Sequence, residues 1–178
     1  MEKKTKQIYI VLSQTGTLLS RLVKLFTKKP YNHSSISVDK SLNKMYSFGR
    51  KNPYNPFIGV FVEEHINAGT FARFKMTQCK VISLPVSEKQ YNLMQEELKK
   101  IEDKRDIYKY NVLGLVFAGV KVNIPVKNKF YCSEFVRHVL KQGNVDMKEI
   151  PDVVYPTHFL KLDGVKTEYE GLLRKYKI

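Results

Sequence analysis

Short stretches in which apolar and polar residues alternate, or in which apolar residues run together, recur along the first half of the chain. They occupy residues 7–13, 31–39, 45–50, 57–64 and 77–84. This is the pattern of β-strands, and turn-forming residues separate several of the stretches. In residues 7–13 both faces are apolar, which predicts a strand in the middle of a sheet. The short connection between the second and third stretches favours an antiparallel pair.

Four other stretches place apolar residues at helical spacing: residues 18–26, 87–104, 112–120 and 132–142. The second begins with a capping box, in which Ser87 is the cap and Gln90 lies three residues on. Residues 65–74 are expected to be irregular, and residues 165–178 are expected to add a strand and a short helix. The pattern as a whole predicts an α+β fold, with a central antiparallel sheet packed against helices.

Size and composition indicate one globular domain, residues 1–178. The chain is 43% hydrophobic and 12% aromatic, as in ordinary folded proteins. No apolar run approaches the roughly 20 residues that a membrane-spanning helix needs. Residues 7–13 are too short and too β-branched for the core of a signal peptide. We therefore expect a cytoplasmic protein in which the two cysteines, Cys79 and Cys132, are reduced.

The formal net charge is +14, from 31 Lys and Arg residues against 17 Asp and Glu residues. The lysines are scattered, which is typical of a solvated surface, but the excess could also attract anionic lipid, nucleic acid or an acidic polymer. No nucleic-acid-binding motif is visible. The four histidines, at positions 33, 65, 138 and 158, lack the spacing of metal ligands, so neither a metal nor another cofactor is predicted.

Cys132 begins the predicted helix at residues 132–142, and this position carries a specific chemistry. The free N–H groups and the dipole of a helix start favour a thiolate over a thiol, and a thiolate attacks carbonyl carbon. Cysteine is also among the most buried residue types, and the spacing alone favours a small apolar group in the core. Cys79 lies inside a predicted strand, without a helix start, and is assigned to packing.

A second motif changes the interpretation of Cys132. Asn32-His33-Ser34 opens a strand, residues 45–50 form the next strand, and residues 131–136 surround the cysteine. In this order the three motifs resemble the circularly permuted branch of the papain-like cysteine hydrolases, the permuted NlpC/P60 superfamily, and within it the YiiX/YebB-like group. The resemblance spans about residues 8–160 as an order of elements. It implies a permuted papain-like fold, in which the histidine strand precedes the cysteine helix.

The resemblance also implies roles for individual residues. Cys132 and His33 would form a thiolate–imidazolium pair, and a third polar group would orient the imidazole. Relatives often carry a glutamate on the strand after the histidine, where this chain has Ser47. Ser47 is the predicted third group. Glu63 or Glu64 could take the role instead, or activity could be low or lost.

The other candidates are less specific. The backbone N–H of Cys132 is expected to stabilise the oxyanion, with Tyr131 or Tyr31 as alternative hydroxyl donors. His138 is predicted to lie at the surface because it is on the side of the helix away from Cys132. His158 could lie at the rim of a cleft, and His65 has little support.

Two functions follow. The first is a cysteine hydrolase, of the peptidase or amidase type or a related acyl-transfer enzyme, acting on a small peptide, amide or acyl substrate. The second is a binding module of the same fold that is catalytically weak or inactive and has a basic surface for an anionic ligand or membrane. Ser47 in place of a carboxylate suggests the second function.

Overall fold

The computed structural model describes residues 5–15, 29–52, 55–119 and 122–178, and for residues 50–52, 55–58, 113 and 116 only the backbone is described. The fold is α+β. Its strands are β1 (Thr5–Gln14), β2 (His33–Ser37), β3 (Met45–Asn52), β4 (Asn55–Glu64), β5 (Gln78–Ser87), β6 (Lys109–Tyr110), β7 (Lys129–Phe130) and β8 (Lys166–Leu172). Its α-helices are α1 (Gly69–Arg73), α2 (Glu88–Asp103), α3 (Val112–Ala118) and α4 (Cys132–Gln142).

Six of the strands form one sheet in the order β4-β3-β2-β1-β5-β8, and each neighbouring pair is antiparallel. The sheet confirms the predicted central position of β1. Ile8 and Ile10 are buried on one face and Tyr9 and Val11 on the other. The short strands β6 and β7 form a separate parallel pair.

The two faces of the sheet carry different cores. The larger core lies between one face and the helices α2 and α4, where Met94 and Phe135 are fully buried. The smaller core covers the other face and includes Phe71 of α1, Cys79 and Leu173. Because residues of a strand alternate between faces, His33 shares the face of the smaller core, whereas Ser34 points to the side where α4 packs.

Local signals in the sequence account for most of the element boundaries. The capping box is present: the Ser87 N–H donates to Gln90 Oε1 at 2.9 Å, and the Gln90 N–H donates to Ser87 Oγ at 3.3 Å. Residues 65–74 were expected to be irregular, but they contain α1. The predicted strand and short helix near the C-terminus are β8 and a 3₁₀ turn, Leu173–Lys175. The predicted helix at 18–26 lies outside the described residues.

Candidate active site

The N-terminus of α4 is fixed by its own first turn. Tyr131 is extended, and its N–H donates to Glu134 Oε2 at 3.0 Å. Asn111 Nδ2 donates to the same oxygen at 3.1 Å. N–H groups at a helix start have no intrahelical acceptors. The Glu134 carboxylate accepts from one of them, the N–H of Tyr131, the residue just before the helix. These bonds hold Cys132 at the first helical position, as predicted.

Cys132 lies against the beginning of β2. Its Sγ is 4.0 Å from the carbonyl oxygen of Asn32 and 3.9 Å from Ser133 Oγ. Ser133 Oγ is in turn 3.2 Å from Ser34 Oγ, and both hydroxyls are buried. A pair of buried serines therefore joins α4 to β2 beside the sulfur. The thiol is also within hydrogen-bond reach of the His33 imidazole.

The Cys132 thiol and the His33 imidazole change each other's pKa. Burial by itself raises the pKa of Cys132, but the hydrogen bond and positive charge of His33, the Ser34 N–H and the Ser133 hydroxyl lower it below its ordinary value. Burial likewise disfavours a charged His33, but Glu64 and Cys132 raise its pKa to about 10. Both shifts favour a thiolate and an imidazolium over the neutral pair.

The third group at the imidazole is Glu64. His33 Nε2 lies 3.0 Å from Oε1 and 3.2 Å from Oε2 of this carboxylate. The two side chains are only 18% and 11% exposed. Burial opposes a charged carboxylate, yet the His33 charge and the hydrogen bonds to it lower the pKa of Glu64. Nε2–H therefore donates to the Glu64 carboxylate, and Nδ1 is the ring nitrogen left for Cys132.

Glu64 reaches His33 across an intervening strand. It lies on β4, whereas His33 lies on β2 and β3 runs between them. A Cβ built on Gly49 of β3 would be 3.5 Å from both Glu64 Oε1 and Ser47 Oγ. The small side chains at positions 47 and 49 therefore leave room for the glutamate to pass over β3.

Ser47, the predicted third group, makes no hydrogen bond to the imidazole. Its hydroxyl is buried without a hydrogen-bond partner of normal geometry among the described residues. It lies near Glu64 and is the weakest of the main groups that lower the pKa of that carboxylate. Ser35 is closer: its Oγ donates to Glu64 Oε2 at 2.5 Å and lies 3.4 Å from His33 Nε2. Its position two residues from His33, on the same face of β2, is the one signal that could have identified it.

Glu63, the other alternative, is directed away from His33. Neighbouring residues of a strand point to opposite faces, and Glu63 and Glu64 follow this rule. Glu63 accepts from Lys44 Nζ at 2.9 Å and pairs with His65 Nε2 at 3.1 Å. These ion pairs lower the pKa of Glu63 against the opposing effect of burial.

Both tyrosines proposed as oxyanion donors use their hydroxyls elsewhere. Tyr131 donates to the carbonyl oxygen of Val154 at 3.2 Å, and Tyr31 donates to Glu170 Oε1 at 2.9 Å. Burial is the largest cause that raises the pKa of both phenols. The backbone N–H of Cys132 remains as the candidate donor, because the first N–H groups of a helix have no intrahelical acceptor.

The remaining histidines do not enter this site. The prediction that His138 lies at the surface is wrong. It is half-buried against Phe130, and its Nε2 is 2.7 Å from Oε1 of the buried Glu97 on α2. The helix face opposite Cys132 packs here against a second helix instead of facing water. His158 Nδ1 accepts the Tyr155 N–H at 3.2 Å.

Among the described residues, no group of three or more His, Cys, Asp or Glu side chains is arranged to hold a metal ion. None of the described helices has the length and apolar character required to cross a membrane. The protein-family models, the curated proteins and the solved structures with which the chain was compared include no match to it.

Proposed function

We propose that the protein is a cysteine hydrolase or a related acyl-transfer enzyme, with Cys132 as nucleophile, His33 as acid and base, and Glu64 as the group that orients His33. One observation carries the proposal. The thiol, the imidazole and the carboxylate form a continuous, largely buried chain in which the pKa of His33 is raised and that of Cys132 is lowered. The substrate class is an amide, ester or thioester of a small peptide or acyl compound.

The chemistry follows from the resting ion pair. The Cys132 thiolate attacks the carbonyl carbon, a C–S bond forms, and the carbonyl oxygen becomes an oxyanion near the Cys132 N–H. The intermediate collapses, the bond to the leaving group breaks, and the His33 imidazolium gives its proton to that group. Neutral His33 then takes a proton from water, which attacks the thioester. Cleavage of the C–S bond releases the acid and restores the thiolate and the imidazolium.

Glu64 supports the enzyme over the inactive binding module. The suggestion of lost activity rested on Ser47, because a hydroxyl cannot stabilise an imidazolium as a carboxylate can. The carboxylate on β4 supplies the negative charge that Ser47 lacks. The proposed architecture is the permuted NlpC/P60 arrangement, because a strand that begins at the histidine precedes a helix that begins at the cysteine.

The test is the pH dependence of alkylation by iodoacetamide, followed at each cysteine by mass spectrometry. We expect Cys132 to react at a nearly constant rate from about pH 6 upwards, well below the ordinary thiol pKa of about 8.5. The Cys132→Ala variant should keep its fold and lose this fast phase together with any amidase, esterase or thioesterase activity. A rate that rises only above about pH 8.5 would reject the thiolate–imidazolium pair.

A further inference from the structure

Exposed apolar side chains are concentrated in one part of the described chain. Seven large apolar residues are exposed in the described regions, and four of them fall between positions 107 and 122. These four are Ile107, Val112, Phe117 and Val122, which are 39% to 53% exposed. Single exposed apolar residues are ordinary, but four within 16 positions require an explanation.

The same part of the chain is strongly basic. Residues 104–129 contain six Lys or Arg residues and one acidic residue, Asp106. Five of the basic side chains are exposed and form no ion pair with any residue that the structure describes: Lys104, Arg105, Lys109, Lys127 and Lys129. Elsewhere several lysines, such as Lys44 and Lys80, bind acidic neighbours. The charge of this segment is therefore available to an external anion.

Backbone contacts bring parts of this segment together. Lys109 and Lys129 are direct neighbours in the β6–β7 pair. Tyr108 is buried between the exposed Ile107 and Lys109, so both of its neighbours face outward. The Val122 N–H donates to the carbonyl oxygen of Phe117 at 3.0 Å. We use the name 104–129 surface for the described side chains of this segment that are exposed and apolar or basic: Lys104, Arg105, Ile107, Lys109, Val112, Phe117, Val122, Lys127 and Lys129.

We propose that the 104–129 surface docks on an anionic lipid bilayer. Basic side chains are attracted to acidic headgroups, while short apolar side chains among them enter the headgroup–acyl boundary. A protein partner fits this surface less well, because lysine is depleted at protein–protein interfaces. A single-stranded nucleic acid would use the lysines but stack its bases on aromatic rings, and three of the four apolar residues are aliphatic.

The surface lies beside the candidate active site. Asn111, at the start of α3, donates to the Glu134 carboxylate in the first turn of α4. At the other end of α3, the Tyr155 hydroxyl donates to the carbonyl oxygen of Ala118. A bilayer bound at the 104–129 surface would therefore lie close to the helix that begins at Cys132.

Co-sedimentation of the full chain with lipid vesicles tests the proposal. We expect binding to phosphatidylcholine vesicles that contain about 30% phosphatidylserine, little binding to pure phosphatidylcholine, and weaker binding at high salt. The double variant Lys109→Gln/Lys129→Gln should weaken binding by about five-fold for each lysine. The matched control is Lys89→Gln/Lys99→Gln, which removes two exposed lysines from α2 and should change binding much less.

A second pair of variants tests the contribution of the apolar side chains to vesicle binding. Ile107→Ser/Val112→Ser should weaken vesicle binding several-fold, whereas Met76→Ser/Leu160→Ser removes two exposed apolar residues elsewhere and should not. Circular dichroism would show that each variant is folded. The proposal would be overturned if the protein did not bind the vesicles, or if the test and control variants lost binding equally. It would also be overturned if a single-stranded oligonucleotide bound more tightly than the acidic vesicles. Cys132→Ala should bind vesicles normally, so this result and the test of the enzyme are independent.

Discussion

The two cysteines of this protein are both buried, but their pKa values are shifted in opposite directions. Cys132 begins α4 beside His33, and its pKa lies below the ordinary value. Cys79 lies inside β5, where burial and then the charge of Glu170 raise its pKa to about 12. Burial disfavours both thiolates. The difference comes from a cation, a backbone N–H and a hydroxyl that surround one sulfur.

Residue type and burial are therefore poor guides to the pKa of a cysteine thiol. A thiolate in a protein interior is stable only where specific groups replace the lost water. Cys132 has those groups because two elements meet there, the start of a helix and the start of a strand. Cys79 is surrounded by side chains of the smaller core and acts as a small apolar residue.

Replacement of His33 should remove most of the difference between the two cysteines. In His33→Gln the amide can still donate to Glu64, but no cation remains beside the sulfur. We expect alkylation of Cys132 at about pH 6 to fall by about 100-fold, because the thiolate fraction falls as the pKa returns towards its ordinary value. Cys79 in the same sample is the internal control, and its low rate should not change. A Cys132 rate close to that of the wild type would show that His33 is not its partner.

Replacement of Glu64 should weaken the ion pair without removing it. The pKa of His33 is raised to about 10, so its positive charge is present at neutral pH and is lost as the pH rises through about 10. Glu64→Gln removes the carboxylate charge that raises the pKa of His33. The imidazolium should therefore lose its proton at a lower pH in this variant. We expect about a ten-fold lower turnover near pH 8, measured as a pH–rate profile.

Glu63→Gln is the matched control for this variant, because it changes the adjacent residue on the opposite face of β4. It breaks the ion pairs to Lys44 and His65 but touches neither His33 nor Cys132. Its profile should coincide with that of the wild type. The roles of the two glutamates would have to be exchanged if Glu63→Gln lowered turnover and Glu64→Gln did not.

The serines around Glu64 should have smaller, unequal effects. Ser35 donates a hydrogen bond to the carboxylate, so Ser35→Ala should lower turnover by about three- to five-fold and Ser35→Thr should restore part of it. Ser47 lies near Glu64 without a hydrogen bond of normal geometry to it and is its weakest partner, so Ser47→Ala should change the rate by less than about two-fold. Steady-state kinetics of the three variants would rank the two serines. A larger loss of turnover in Ser47→Ala than in Ser35→Ala would assign the orienting role to Ser47.

Removal of Cys79 should have the smallest effect on the chemistry. Cys79→Ala leaves a small cavity in the smaller core, so the free energy of unfolding should fall by about 1–2 kcal/mol. Alkylation of Cys132 should keep its rate and its pH dependence. Denaturant unfolding and the iodoacetamide assay measure the two quantities separately. A change in the pH profile would show that the two thiols are coupled through the sheet.

The sequence by itself determined the features that depend on neighbours along the chain. Alternation and helical spacing located β1, β3 and α2, and the capping box at Ser87 marked where α2 begins. Cys132 at a helix start and His33 at a strand start were likewise visible, because apolar periodicity and turn residues are local signals. The central position of β1 followed from its two apolar faces.

The tertiary structure alone decided which carboxylate lies against His33. Alternation places Ser47 and Glu64 on the same face, but only the packed sheet shows that Glu64 passes over Gly49 to the imidazole. The sequence left Ser47, Glu63 and Glu64 open, because the reach of a side chain across a neighbouring strand is not a property of either strand. Partners distant in sequence also determine the hydrogen bonds of the Tyr31 and Tyr131 hydroxyls. The same holds for His138, which is partly buried against Glu97 of another helix.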